Sequence, residues 1–191
     1  MTDKERRRGG REVGEERVNW KRELAVDAAI VAGAFLLVWL VDTFLLINAK
    51  IPSGSMENTI PSGARVVGTR LSYREEAPQR YDVVIFHYPD NETELFVKRV
   101  IGLPGETVTI VDGRVYIDDS AEPLRDDFIA EPMDGTFGPY VVPEGCYFVL
   151  GDNRNHSLDS RYWANKFVAE DKIIGKAAFV WFPFSAAGRI D

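Results

Sequence analysis

Apolar residues dominate one long segment near the start of the chain, residues 24–49, which Asp27, Asp42 and Asn48 interrupt. A membrane-spanning helix needs about 20 predominantly apolar residues, so this segment predicts a single transmembrane helix. The uninterrupted part, residues 28–41, is short enough to leave a buried core helix as the alternative. Cleavage as a secretory signal fits poorly, because no small-residue cleavage site follows the apolar core.

The pattern after residue 50 predicts a mainly β structure. Four short runs are rich in Val, Ile, Phe and Tyr and are bounded by turn residues: ARVVGTRLSY, DVVIFHY, LFVKRVIGL and CYFVL. In ETVTIVDGRVYID, Asp112 and Gly113 separate two alternating runs, as in a hairpin with a two-residue turn. The acidic residues 118–135 predict a solvated excursion between strands. The later run AAFVWFPF favours a core strand over a membrane-facing edge.

The charges on either side of the apolar segment predict its orientation. Residues 1–23 contain eight Lys/Arg and six Asp/Glu, which leaves a net charge of −9 on the remaining chain. Because Lys and Arg favour the cytoplasmic side, we expect a single-pass protein of the cell membrane. Its parts would be a cytoplasmic segment at 1–23, a transmembrane anchor at 24–49 and an extracytoplasmic domain at 50–191, with a smaller β insertion at about 107–145.

Composition argues against several kinds of partner. The net charge of −7 is unfavourable for nucleic acid, whose phosphates require a dense Lys/Arg face. Cys146 lies in the apolar run CYFVL and is expected to be a small buried hydrophobe. His87 and His156 with one cysteine do not make the usual zinc set, so we expect neither a metal nor another cofactor.

Ser55, in the stretch PSGSM, is a candidate nucleophile. A serine hydroxyl needs a neighbouring base and a group that stabilises the oxyanion. Gly54 allows close approach of the backbone to a ligand, although a Ser/Gly/Pro cluster is ordinarily only a turn. The chain has no G-x-S-x-G elbow around Ser55 and no S-x-x-K pair. A triad that recruits His87 or His156 stays open as an alternative.

Lys98 is the candidate base. It shares strand phase with Phe96 and Val100, so its side chain is expected to point where apolar residues point. Burial disfavours the charged ammonium and lowers the pKa of a lysine, which makes it a base near neutral pH. The alternative is a lysine that extends to solvent from the edge of a strand. The adjacent Arg99, in the opposite phase, would face solvent or a carboxylate.

A dense polar run, GDNRNHSLDSRYW, follows the last of these apolar runs. Its spacing does not match a calcium-binding EF-hand loop. The alternation of Asp152 with Arg154 and of Asp159 with Arg161 predicts two local ion pairs that hold the loop in shape. A loop of this kind is suited to support an active site.

Taken in order, these motifs resemble those of the bacterial type I signal peptidases, membrane-anchored Ser/Lys endopeptidases. The resemblance is carried by PSGSMENT, RVVGTRLSY, YDVVIFHYP, FVKRVIGLPGETV and GDNRNHSLDSRYW, and it extends from about residue 24 to the C-terminus. It implies a β-rich signal-peptidase/LexA-like catalytic domain after one N-terminal transmembrane helix. It also implies cleavage of signal peptides from secretory preproteins at the membrane lipid surface.

The resemblance assigns roles to individual residues. Ser55 matches the nucleophile and Lys98 the general base. Ser53 matches the residue whose hydroxyl joins the Ser55 backbone N–H in the oxyanion hole. Ser157 matches a serine that orients the base. Asp159 and Arg161 match an ion pair that shapes the site.

Shallow apolar pockets would select small residues at the first and third positions before the cut, which the resemblance also implies. Candidate pocket residues are Ile51, Met56 and, in the strand VVIFHY, Ile85. The chain departs from the family pattern at Asn58, where proline is common, and at Ala164, where glycine is common. The alternatives in function are a soluble self-cleaving Ser/Lys protease and a catalytically silent membrane-anchored module.

Overall fold

The computed structural model describes residues 20–191, apart from the side chain of Asp42. Residues 1–19 of the predicted cytoplasmic segment lie outside this range. Helix α1 spans Trp20–Phe44, and its portion Trp20–Val41 is long and apolar enough to cross a membrane. The described residues divide into two compact units, one that ends at Trp39 and one that spans Leu40–Asp191.

The first strand lies within the segment that was assigned to the anchor. The helix ends at Phe44, and β1 (Leu46–Lys50) pairs antiparallel with β2 (Arg65–Thr69). Leu46 and Ile47 continue the apolar run, and a short apolar run has the same composition in a helix as in a strand. The predicted anchor at 24–49 therefore extends beyond the end of the helix.

Together with β1 and β2, the remaining strands form two antiparallel sheets, and the mainly β prediction is confirmed. The other strands are β3 (Val83–Tyr88), β4 (Asn91–Gly102), β5 (Thr107–Val111), β6 (Arg114–Ile117), β7 (Phe137–Val141), β8 (Cys146–Leu150), β9 (Val168–Ala169), β10 (Ile173–Phe182) and β11 (Gly188–Arg189). The larger sheet has the order β1-β2-β10-β3-β4-β8-β9, with β11 paired to β10. The smaller sheet has the order β6-β5-β7.

One core cluster packs the loop after β1 against the larger sheet. Its buried members are Ile47, Ile51, Met56, Ile60, Ala64, Val66, Val83, Ile85, Val97, Ala177, Val180 and Ile190. Full burial of a side chain such as Met or Ile contributes about 1.5–3 kcal/mol. Because Met56 and Ile60 are both fully buried, they fix the segment that carries Ser55 to the sheet.

The smaller sheet contains the hairpin that the sequence predicts. Asp112 and Gly113 connect β5 to β6 with φ values of 47° and 78°, the left-handed conformation that a tight hairpin turn requires. The solvated excursion predicted at 118–135 is wrong for three apolar residues. Leu124, Phe128 and Met133 pack on the core of this sheet, since even an acidic segment retains apolar side chains to bury.

Strand β10 has one buried face. Ala177 and Val180 are buried, as expected for a core strand, whereas Phe179 and Phe182 are 43% and 45% exposed. The run AAFVWFPF is therefore only half in the core. Cys146 is partly buried against the apolar core of the smaller sheet, and burial raises the pKa of its thiol, which disfavours the reactive thiolate.

Candidate active site

Ser55 lies in a tight series of turns after β1. Backbone N–H groups of Glu57 and Ile60 donate to the carbonyl oxygens of Gly54 and Met56 at 3.0 and 2.7 Å. The burial of Met56 and Ile60 in the core cluster fixes these turns to the larger sheet. Ser55 is 6% exposed as a result, so its hydroxyl is held in a largely dehydrated position.

The base candidate meets the nucleophile candidate directly. Lys98 Nζ donates a hydrogen bond of 2.5 Å to Ser55 Oγ, and Lys98 is only 3% exposed. Its ammonium nitrogen also lies 5.4 Å from the ring centroid of Phe96, which shares its strand phase. A lysine that extends to solvent does not fit this burial.

The histidine alternative has no support in the geometry. Ser53 Oγ is the other hydrogen-bond neighbour of Ser55 Oγ, at 3.3 Å. His87 Nδ1 instead lies 2.7 Å from the carbonyl oxygen of Glu92. His156 borders the cleft but is exposed and forms no hydrogen bond with Ser55.

The environment of Lys98 favours its neutral form. Burial lowers the pKa of Lys98 from 10.5 to about 8. The negative charges of Asp159 and Asp152 oppose this by raising the pKa, and the positive charge of Arg161 adds to the lowering. A substantial fraction of Lys98 is therefore an unprotonated amine slightly above neutral pH.

The series of turns after β1 that carries Ser55 is called the serine loop below. The polar run after β8 holds its backbone. Asn153 N–H donates to the Ser55 carbonyl oxygen at 3.0 Å, and Asn153 Nδ2 donates to the Gly54 carbonyl oxygen at 2.9 Å. Gly151 makes this approach possible, because a Cβ there would lie 2.5 Å from the Ser55 carbonyl oxygen and 2.2 Å from Ser157 Oγ. The loop thus positions the nucleophile through main-chain contacts.

A buried ion pair joins this run to the strand of the base. Arg99, which follows Lys98, donates through Nε and Nη2 to the two carboxylate oxygens of Asp152 at 2.9 and 2.7 Å. Thr59 Oγ1 donates to the same carboxylate at 2.5 Å. Arg99 therefore faces a carboxylate, and Asp152 links the serine loop, β4 and the polar run.

Only one of the two predicted local ion pairs forms. Arg161 donates through Nε and Nη2 to both carboxylate oxygens of Asp159 at 2.8 and 2.9 Å, and both residues are buried. The predicted pair of Asp152 with Arg154 is wrong. Arg154 instead donates to Asp126 at 2.8 Å, because the 118–135 segment folds back over this loop.

Comparison with known proteins decides the family. The chain matches the family model described as signal peptidase, peptidase S26, over residues 23–182. The chain belongs to the signal peptidase family.

Named relatives agree with this family. Signal peptidase I of Leptolyngbya laminosa is 38% identical over 157 residues, which cover 78% of this chain and 75% of the relative. Probable signal peptidase I-1 of Synechocystis sp. is 39% identical over 164 residues, 82% of each chain. A crystal structure of a signal peptidase I from Enterococcus faecalis is 38% identical, covers 53% of this chain and 97% of that one, and has a TM-score of 0.46.

In this member of the signal peptidase family, a cleft of about 520 Å³ borders the Ser55–Lys98 pair. Its lining consists of residues 50–53, Ser55 and residues 94–98, with His156 and Leu158. Ile51 borders the open space, whereas Met56 and Ile85 are fully buried in the core cluster behind it. The substrate-binding roles of these three residues stay predictions.

Ser157 lies close to the signal peptidase dyad without a hydrogen bond of its own. Its Oγ is buried and has no hydrogen-bond partner within residues 20–191. Its predicted role of orienting Lys98 stays a prediction. Within the same residues, no three His, Cys, Asp or Glu side chains are grouped as metal ligands would be.

Sequence reasoning missed three residues that hold the site together: Thr59, Asp152 as the partner of Arg99, and Asn153. Asp152 and Asn153 lie in the polar run that was singled out, so the composition of that run was the available signal. No spacing rule connects them to Gly54 or Arg99, which are about 100 and 50 residues distant in sequence.

Asn58 explains how the serine loop differs from the family pattern. Its φ of 87° lies in the left-handed region, which asparagine tolerates better than most residues. Proline is fixed near a φ of about −65° and cannot adopt this conformation. The turn is therefore closed in a different backbone conformation from one that contains proline.

We expect Asn58→Pro to lower the free energy of unfolding by at least about 1 kcal/mol, because proline is incompatible with the native φ. Asn58→Gly is the matched control and should change stability by only a few tenths of a kcal/mol, since glycine accepts positive φ. Urea denaturation of both variants provides the measurement. Equal stability of the proline variant and the wild type would contradict the assigned turn.

Proposed function

We propose that this member of the signal peptidase family is an endopeptidase that removes N-terminal signal peptides from exported preproteins, with Ser55 as nucleophile and Lys98 as general base. The observation that carries the proposal is the buried contact of 2.5 Å between Lys98 Nζ and Ser55 Oγ. The family membership favours this activity over a self-cleaving protease. The lowered pKa of Lys98 favours it over a silent module.

In the acylation step, neutral Lys98 takes the hydroxyl proton as Ser55 Oγ attacks the scissile carbonyl carbon. The carbonyl oxygen becomes an oxyanion, which accepts hydrogen bonds from the Ser55 backbone N–H and from the Ser53 hydroxyl. The Lys98 ammonium then protonates the departing amine of the mature protein. The signal peptide is left as an ester on Ser55.

In the deacylation step, Lys98 is again neutral and removes a proton from a water molecule, which attacks the ester carbonyl. The same oxyanion donors serve the second tetrahedral intermediate. Collapse of this intermediate returns the proton to Ser55 Oγ and releases the signal peptide as a carboxylic acid. One lysine therefore acts as base in both halves of the reaction.

The supporting residues keep the base in place. Asp159 is held by Arg161, so this carboxylate acts on Lys98 as part of a neutral pair rather than as a free charge. Ser157 lies against Gly151, and we propose that its hydroxyl orients the amine of Lys98 when substrate is bound. These three residues act through Lys98 and do not touch the scissile bond.

The open edge of β4 suits an extended substrate. β3 pairs with β4 on one side at Asn91 and along residues 95–99, whereas β8 pairs on the other side only from Arg99 onward. Residues 91–98 therefore have no strand on that side within the described part of the chain. A preprotein segment that adds to this edge would run directly to Lys98 and Ser55.

Helix α1 is proposed to anchor the catalytic domain on the extracytoplasmic side of the cell membrane. Its apolar length supports spanning, and the basic residues before it support a cytoplasmic N-terminus. Ser55 follows the end of the helix at Phe44 by only 11 residues. This short connection would keep the nucleophile near the lipid surface, where signal peptides emerge.

We expect Ser55→Ala and Lys98→Ala each to lower kcat/KM for a preprotein by at least about 10⁴-fold, since either change removes a reacting group. The measurement is processing of a purified preprotein by the full chain in detergent. Ser120→Ala and Lys172→Ala remove an exposed serine and a half-exposed lysine that do not line the cleft, and they should leave processing unchanged. Activity retained by either dyad variant would refute the assignment.

The rate should depend on pH as the Lys98 amine does. Below a pKa of about 8, the neutral fraction of Lys98 increases roughly tenfold for each pH unit. We therefore expect kcat/KM to rise with pH and to level off above about pH 8, as a pH–rate profile with a signal-peptide substrate would show. A flat profile between about pH 6 and pH 9 would exclude Lys98 as the base.

The proposed orientation predicts that protease added to intact cells degrades the domain after Lys50. The measurement is the size of an epitope-tagged chain after digestion, since the anchor protects only the segment at and before the helix. A cytoplasmic marker protein must remain intact in the same sample. Full-length protein that survives digestion until the membrane is permeabilised would reverse the orientation.

A further inference from the structure

The cleft beside the dyad contains a carboxylate that the proposed chemistry does not use. Glu94 lines the cleft on the same strand as Lys98 and is exposed. Its Oε1 accepts a hydrogen bond of 2.7 Å from Asn91 Nδ2, which is a neutral partner. Within residues 20–191, no Lys or Arg lies at ion-pair distance from Glu94. Its negative charge is therefore available to a ligand in the cleft.

The strand geometry fixes how far this charge lies from the reaction. Side chains alternate along a strand, so Phe96 and Lys98, which lie in the regular part of the β3–β4 ladder, project from the same face of β4. Glu94 directly precedes Leu95, where this regular pairing begins, and we place it on the same face. Glu94 precedes Lys98 by four positions, which corresponds to roughly 13 Å along the strand at about 3.3 Å per residue. An extended peptide on the adjacent edge advances by the same distance in four of its own residues.

The walls of the cleft indicate the direction of the peptide. Residues 50–53 and Ser55 line the cleft together with residues 94–98. Lys50 and Glu94 are the lining residues farthest along these two segments from Ser55 and Lys98, and we take them to mark the distant end of the cleft. Lys50 is only six residues after the end of α1 at Phe44. A signal peptide, whose apolar part stays in the membrane, would enter from this end and run parallel to β4.

We propose that Glu94 is a specificity-determining residue that favours preproteins with a basic side chain at the fifth residue before the cut. With the scissile carbonyl at Ser55 Oγ, the residue before the cut lies beside Lys98, and the residue four positions earlier lies beside Glu94. Both project to the same face because four is an even number of residues. This inference rests on the proposed function and narrows its substrates.

Lys50 and His156 also border the cleft, so their positions matter for the negative charge of Glu94. Lys50 pairs in register with Arg65 on the neighbouring strand, so its side chain projects to the face of that cation rather than to the core face of Ile51. His156 lies at the cleft wall with Leu158. Glu94 is thus the sole carboxylate among the side chains that line the cleft in the described part of the chain.

The experiment compares three peptides that differ only in the fifth residue before the cut: Lys, Gln or Glu. The full chain in non-ionic detergent is used at low salt, and kcat/KM is measured for each peptide. The ratio of Lys to Gln peptide is taken within one enzyme preparation, so any loss of folded protein cancels. Glu92→Gln is the matched control, because Glu92 is a neighbouring glutamate on the same strand that pairs with Lys172 and does not line the cleft.

The wild type should prefer the Lys peptide over the Gln peptide by about two- to fivefold, as for an exposed ion pair. The preference should vanish in Glu94→Gln, reverse in Glu94→Lys, persist in Glu92→Gln and weaken at 1 M salt, where the Debye length is about 3 Å. The inference is overturned if the ratio of kcat/KM for the Lys and Gln peptides is the same in the wild type and in Glu94→Gln. It is also overturned if Glu92→Gln loses the preference for the Lys peptide as fully as Glu94→Gln does. Cleavage of none of the peptides by the wild type would instead count against the proposed function.

Discussion

The arrangement depends on keeping one amine out of water. An ammonium group loses its hydration on burial, and this cost lowers the pKa of Lys98. Two carboxylates nearby, Asp159 and Asp152, oppose this effect by raising the pKa. Each is matched by a guanidinium, Asp159 by Arg161 and Asp152 by Arg99. Since the opposing charges are largely neutralised locally, desolvation dominates and the amine is available as a base.

The same ion pairs determine the positions of the loops. Asp152 accepts hydrogen bonds from Thr59 on the serine loop and from Arg99 on β4, and the next residue, Asn153, holds the carbonyl oxygens of the serine loop. A buried ion pair contributes little net stability, but its bidentate geometry is specific. The residues that adjust the pKa of Lys98 therefore also hold Ser55 within reach of it.

The sequence was sufficient for the parts of the fold that follow local patterns. Short runs rich in Val, Ile, Phe and Tyr predicted β3, β4 and β8, and Asp112-Gly113 between two alternating runs predicted the hairpin. The phase of Lys98 on its strand left burial and extension to solvent as alternatives, and the structure shows burial. What could not be predicted depends on contacts between distant segments. The partner of Arg154 is Asp126, 28 residues earlier, and Asn58, with its positive φ, lies between the fully buried residues Met56 and Ile60. No local pattern encodes either arrangement.

The chain leaves the larger sheet to form the smaller one and returns to the larger sheet at an adjacent point. β4 ends at Gly102 and β8 begins at Cys146, and Gly102 is paired in register with Phe148. The residues between them are topologically an enlarged hairpin loop, whose two ends are fixed by the ladder from Arg99 to Gly102. The cost of closing such a loop grows only slowly with its length. Segments of very different size can therefore be accommodated at this position while Lys98, just before the ladder, keeps its place.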